Sequence, residues 1–397
     1  MRSRNPKSLR LLRVVRSVDR RAGGPVETLF QVTHELQRDG HQVEIVTLDP
    51  PDAPWVQDFG LPVTALGSRS VGYGFSPRLV PWLREKAAHV DAVVVSGLWQ
   101  YQTFGTWRAL RGSKVPYYVF PHGMLDPWFK QAHPLKHFKK WLYWPWAEHR
   151  ALRDARAVFF TCEEERLLAR KSFWLYRCQE AVVNYGTAEP SGNPETQKKA
   201  FGNAFPQLVG QRFILYLGRI HEKKGCDLLL QAFAQLRRIH PKLFTRSPGL
   251  QLVMAGPGAE TYVADLKRLA ESLGVASQVH WLGMLRGDLK WGAFRSAEAF
   301  ILPSHQENFG VAVAEALACG LPVLLSNKVN IWREVLSMGG GLVADDDETG
   351  TFSLLNRWMG FPEEERKRFR EKALQCFRAQ FTVRQAATSL VKEVCNR

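Results

Sequence analysis

Two glutamates, Glu307 and Glu315, stand in the segment PSHQENFGVAVAEALACGLP, which runs from Pro303 to Pro322. Glu307 belongs to a loop that leaves an apolar strand. Asn308, Phe309 and Gly310 lead from it into a helix, and Glu315 sits inside that helix. Cys319 and Gly320 end the helix, and Pro322 opens the next strand. Backbone amides at a helix start have no intrahelical partner and suit phosphate or sugar oxygens. A carboxylate in that loop and a second about one turn into the helix add acceptors for a hydroxyl-rich ligand. The bland alternative is a solvated loop glutamate and a surface helix charge. At Glu315 the flanking Ala312, Ala314, Ala316 and Leu317 oppose it, because they mark a packed helix.

A second constellation is LYLGRIHEKKGCDLLLQAF. A strand ends near Gly218, Arg219 and Lys224 project from the following loop, and Gly225 admits the turn into a helix. Two cations at a helix start attract an anion by charge and dipole together. No Gly-Lys-Ser/Thr follows, so this is not a Walker loop. Exposed basic residues are the plain alternative. In SVDRRAGGPVETLF, Gly23 and Gly24 precede Pro25 at a helix start, where backbone can approach a phosphate. In YVFPHGMLDPWF, His122 follows a strand at its carboxyl end. HWLGML ends a strand near Gly283 and places Met284 and Leu285 in the loop that follows. MAGPGAET lacks the third glycine of a dinucleotide fingerprint. The acidic run Asp345 to Asp347 reads as a turn, and no metal site is expected.

These loops need strands to place them. Apolar runs at Leu11–Val18, Val43–Leu48, Ala92–Val95, Tyr117–Phe120 and Ala157–Thr161 alternate with helical patterns. The alternation resumes with strands at Phe213–Leu217, Leu250–Ala255, Val279–Leu282, Ala299–Pro303 and Pro322–Ser326. Such a pattern predicts α/β architecture with parallel sheets covered on both faces. Residues 1–185 form an N-terminal Rossmann-like domain in this scheme. A Pro/Gly/Asn/Gln/Lys-rich linker spans 186–212, and a C-terminal Rossmann-like domain spans 213–378. The helical tail 379–397 is expected to pack back on the first domain. Ligands of open parallel sheets bind beyond the carboxyl ends of the strands, which points to a central cleft between the domains.

The whole has 397 residues, 45% of them apolar and 23% charged, as in a folded rather than a disordered chain. No apolar run approaches the length of a membrane span. The apolar stretch after Arg2, Arg4, Lys7 and Arg10 is broken by Arg13, which argues against a cleaved leader. Six scattered cysteines fit a reducing cytoplasm without disulfides or zinc. A net charge of +16 calls for an anionic partner. The stretch Trp128 to Arg153, WFKQAHPLKHFKKWLYWPWAEHRALR, interleaves aromatic rings with cations, as a membrane interface favours. A core helix with a loop is the alternative. Nucleic acid is disfavoured, since no recognised binding fold accompanies the charge.

The E-x7-E spacing of Glu307 and Glu315, within SHQENFG and EALACGLPV, resembles the retaining glycosyltransferases of family 4, of the exopolysaccharide and lipopolysaccharide type. That resemblance implies the GT-B fold, two Rossmann-like domains facing a cleft, the first taking the acceptor and the second the nucleotide-sugar donor. It implies that Glu307, Asn308, Phe309 and Gly310 hold the donor sugar and that Glu315 binds ribose hydroxyls. By the same resemblance Arg219 and Lys224 clamp the donor diphosphate in place of a metal, and Gly23 and Gly24 face it. His122 contacts the sugar, and the Met284 segment the base. The expected activity is metal-independent, hexosyltransferase-like transfer from a nucleotide sugar to a glycan or lipid-linked glycan in polysaccharide biosynthesis. No cofactor is expected. The expected location is the cytoplasm, peripheral on the inner face of an anionic membrane. A sugar-nucleotide epimerase, a glycan phosphorylase or a non-catalytic nucleotide or polyanion binder are the alternatives.

Overall fold

The segment RLLRVV forms strand β1, Arg10–Val15, and five of its six side chains are buried. A strand buried on both faces is the mark of a parallel sheet with helices above and below. In this computed structural model the described residues are 8–22, 24–70, 72–128, 130 and 134–397. Gly23 and the basic residues Arg2, Arg4 and Lys7 lie outside them. The chain forms two units: the residues up to Gly186 together with Val383–Arg397, and Thr187–Thr382.

Unit 1 holds β1, β2 (Gln42–Thr47), β3 (Val63–Ala65), β4 (Ala92–Ser96), β5 (Tyr117–Phe120), β6 (Ala157–Phe160) and β7 (Glu180–Val182). Their order is β3-β2-β1-β4-β5-β6-β7, and every pairing is parallel. Alternate residues of these strands feed two cores. One, with Leu12, Val14, Val93 and Val95, lies under the helices of one face; the other contains Leu11, Val94, Tyr118 and Phe159. The last helix, Val383–Asn396, completes the second core with Ala386, Ala387 and Leu390 beside Val32 and Leu36 of the first helix, Gly24–Arg38.

Unit 2 holds β8 (Arg212–Leu217), β9 (Leu250–Ala255), β10 (Val279–Gly283), β11 (Ala299–Leu302), β12 (Val323–Ser326) and β13 (Gly341–Ala344), in the order β10-β9-β8-β11-β12-β13. Both sheets follow the doubly wound order, whose direction reverses beside β1 and beside β8. The protein is thus two Rossmann-like domains.

The segment 186–212 is not a bare linker. Asn193 caps a helix, Pro194–Ala204, its side-chain oxygen accepting from the amides of Glu195 (2.9 Å) and Thr196 (3.2 Å). This helix lies against the helix Gly287–Ser296, where an added Cβ on Gly292 would stand 2.2 Å from the carbonyl oxygen of Gln197. Pro, Asn and Lys there are a cap, a first turn and a solvated face. The tail also divides differently: residues through Thr382 stay in unit 2, and the crossing to unit 1 falls at Val383.

Candidate active-site loops

In unit 2 the loops after β8 and β11 flank the reversal point. The β8 loop passes Gly218 and Arg219, makes one tight turn over Glu222–Lys224, and enters the helix Cys226–Ile239 through Gly225. Gly225 has φ +63°, and an added Cβ would stand 2.2 Å from the Pro303 carbonyl oxygen, so only glycine fits. That contact joins the two loops. The amide of His305 donates to the Lys223 carbonyl at 2.9 Å, which reinforces the join.

Lys224 does not project into solvent as the sequence suggested. It is only 6% exposed, and its ammonium forms an ion pair with the Glu307 carboxylate. Glu307 is itself fixed by backbone bonds to the loop after β12: its amide donates to the Lys328 carbonyl (3.0 Å), and its carbonyl accepts from the Asn330 amide (2.9 Å). The other Glu307 oxygen accepts from the Asn308 amide at 3.1 Å. Asn308 accepts from the Asn330 side chain. Phe309 is buried and packs edge-on against Phe381, so its ring belongs to the core. Gly310, at φ +73°, turns the chain into the helix Val311–Ala318.

Glu315, inside that helix, accepts a hydrogen bond from Lys290 at 2.7 Å, and its side chain is 13% exposed. Lys290 also lies 4.2 Å over the Trp291 ring. The sequence analysis missed Lys290; the only signal was a lone lysine at the start of an amphipathic helix. Arg219 is exposed and lines an open groove with His221, Pro257 and Tyr262. Met284, directly after β10, is exposed. The acidic run is structural. Asp347 caps a helix through the Gly350 amide (2.7 Å), and Asp346 meets His305 (3.1 Å) and Lys328 (3.7 Å).

Unit 1 brings Gly24 and His122 to the same end of its sheet. Gly24 begins the first helix, with Pro25 next. His122 follows β5 with φ +50°, a strained conformation for a residue with a side chain. Its ring stacks on Phe120 at 5.3 Å. The next amide, that of Gly123, donates to the buried carboxylate of Glu165, which also accepts from the Thr161 amide at 2.7 Å. Glu165 therefore holds the His122 turn, a role that its place in an acidic run did not reveal. Burial first, and the Arg13 charge second, push the His122 imidazole down to about 3, so it is neutral near pH 7.

Two family models match the chain: a glycosyl transferase 4-like domain over residues 23–186, and glycosyl transferases group 1 over residues 198–375. A D-inositol 3-phosphate glycosyltransferase of Actinosynnema mirum is 38% identical over 144 residues, 36% of this chain and 33% of that protein. An uncharacterised glycosyltransferase of Methanocaldococcus jannaschii is 35% identical over 118 residues, 30% of this chain and 27% of that protein. The chain thus spans about a third of the curated relatives it matches. Among solved structures, Anabaena HepE with UDP and glucose superposes with a TM-score of 0.74 at 15% identity, over 98% of this chain and 100% of that one. Sucrose-phosphate synthase of Thermosynechococcus elongatus gives 0.73 at 18%, over 98% of both chains. The fold is the GT-B fold of these structures.

Proposed function

We propose that the chain is a glycosyltransferase that joins a 4-like domain to a group 1 domain and transfers a glycosyl group from a nucleotide-sugar donor to a glycan or lipid-linked glycan acceptor, with retention and without a metal ion. The observation that carries this proposal is the Lys224–Glu307 ion pair, held across the two loops at the reversal point of the unit 2 sheet. A donor diphosphate brings negative charge to a buried lysine, and Arg219 adds a second cation. Glu307, released from Lys224, accepts hydrogen bonds from sugar hydroxyls. Glu315, released from Lys290, does the same for ribose. In the reaction the bond from the anomeric carbon to the phosphate oxygen breaks, and the acceptor oxygen bonds to the same face. The acceptor proton passes to the departing phosphate. His122, neutral, orients hydroxyls without adding charge.

A thermal-shift screen of nucleotide sugars, with and without chelator, tests this proposal. A donor at about 100 times its Kd adds about 2.7 kcal/mol. Silence toward every nucleotide sugar overturns the assignment, and a strict need for magnesium overturns the metal-free part. Product anomers by NMR test retention. D-Inositol 3-phosphate belongs in the acceptor panel, because the relatives are named for it.

The proposed place of work is the cytoplasmic face of an anionic membrane, in polysaccharide biosynthesis. No described helix is long and apolar enough to cross a membrane. The helix Pro134–Tyr143 instead buries none of its residues. Leu135 is 82% exposed, Phe138 58%, and Trp141, Leu142, Trp146 and Trp174 are also exposed beside exposed Lys136 and Lys139. Apolar and aromatic side chains with lysines on one helix suit insertion at headgroup depth. Each such lysine near an anionic leaflet contributes about 1 kcal/mol, screened by salt. Cosedimentation with anionic but not neutral vesicles, lost at high salt, is expected. No binding in either case favours a soluble acceptor.

A further inference from the structure

Arg13 sits in β1 between Ile45 of β2 and Val94 of β4, and is 5% exposed. Its Nε and Nη1 have no hydrogen-bond partner. Among the described residues no carboxylate forms an ion pair with it. The Phe120 ring, 6.0 Å from the guanidinium carbon, is at the outer limit of a cation–π contact. A buried charge without a counter-charge costs several kcal/mol, and an arginine cannot escape that cost by losing its proton. A methionine would fill the same strand position at no such cost.

The side chain lines a cavity with Thr28, Ser96, His122, Asn184 and Tyr185, at the carboxyl end of the unit 1 sheet. Its free space is ≈ 30 Å³, where a single water needs about 10–15 Å³, so it has room for the two oxygens of an oxyanion. Five polar side chains thus share the cavity with the cation, its remaining wall being apolar (Leu29, Val32, Phe120, Val183, Ala386, Leu390), and the imidazole among the polar ones carries no charge at neutral pH. The cavity lies beside Pro25 and the start of the first helix, whose unpaired amides favour negative charge.

We propose that this cavity binds one oxyanion, the carboxylate or phosphate group of an acidic acceptor, with Arg13 as its counter-charge. The role as an acceptor subsite rests on the transfer activity proposed above; anion binding itself does not. The donor diphosphate is the other source of the same chemistry, and the test separates the two.

The measurement is the melting temperature of the full chain with acetate, inorganic phosphate or UDP, for the wild type, Arg13→Met and Arg13→Lys. Acetate and phosphate should stabilise the wild type saturably. Arg13→Met should weaken both by at least about tenfold, and Arg13→Lys by less. The UDP response should be the same in all three. Without anion, Arg13→Met should melt at or above the wild type, because it removes an uncompensated charge. Equal acetate and phosphate responses in wild type and Arg13→Met overturn the site. Loss of the UDP response in Arg13→Met overturns the acceptor assignment in favour of the donor phosphate. An intact UDP response with no anion effect overturns this inference and leaves the donor proposal standing. Should Arg13→Met not fold, wild-type crystals soaked in bromide decide: an anomalous peak beside the Arg13 guanidinium supports the site, and none overturns it.

Discussion

Unit 2 pairs the charges at the carboxyl ends of its strands, Lys224 with Glu307 and Lys290 with Glu315. Unit 1, with the same strand order extended by a seventh strand, buries Arg13 without a counter-charge, and buries Glu148 with one carboxylate oxygen lacking a hydrogen bond. A paired charge is ready to exchange its partner for a ligand at little cost in solvation. An unpaired one instead shifts the proton affinities around it. Ligand strength should therefore reside in unit 2, and pH sensitivity in unit 1.

The largest test falls on Glu148. Its Oε1 accepts from the Trp99 amide, and burial pushes its carboxyl up to about 8. The folded protein keeps this proton where the unfolded chain, at 4.5, has lost it. The stability so contributed is full below about pH 4.5 and is lost as pH rises through about 8. Glu148→Gln keeps the hydrogen bond and has no proton to lose. It should gain on the wild type with rising pH, reaching on the order of 3–5 kcal/mol at pH 9. Parallel pH–stability curves for the two proteins would remove the contrast between the units.

Next comes Glu307→Ala. Transfer should fall by about 100-fold, while the free nucleotide of the donor binds as well as before or better, since Lys224 loses its competing partner. Equal weakening of free nucleotide and nucleotide sugar would mean that the pair is not exchanged. A smaller effect is expected at Glu315→Ala, roughly ten- to hundredfold weaker binding of donor and free nucleotide alike, by calorimetry. Loss of the sugar donor alone would reverse the two glutamate roles. The smallest expected effect is none: chelator should leave donor affinity unchanged, and a drop would give the charge-neutralising role to a metal.

The central strands were legible because each is an apolar run between turn signals; β5 and β9 agree with the sequence to the residue. The edge strands β3, β7 and β13 were not, since they are short and only partly buried and so lack a continuous apolar run. Glu307 and Glu315 were visible from spacing and neighbours. Their partners were harder. Lys224 was expected to project, because a basic loop residue next to a glycine looks solvated, and its burial depends on a contact with Pro303 far along the chain. In the sequence Arg13 is only a break in an apolar run. Glu148 lies in an aromatic and basic stretch whose exposed half, the helix Pro134–Tyr143, hides the buried half that follows.

The last helix also orders events in time. Ala386, Ala387 and Leu390 cover the apolar face formed by Val32 and Leu36. Unit 1 is therefore incomplete until the helix Val383–Asn396 has emerged from the ribosome. Unit 2, contiguous from Thr187 to Thr382, can close first. At about 5–20 residues per second, unit 1 waits roughly 10–40 s with its first helix uncovered. A fragment ending at Gly186 inherits that exposed face permanently, so expressing the halves separately should give a soluble unit 2 and an aggregating unit 1. Supplying Val383–Arg397 as a peptide, or grafting it behind Gly186, should rescue the latter.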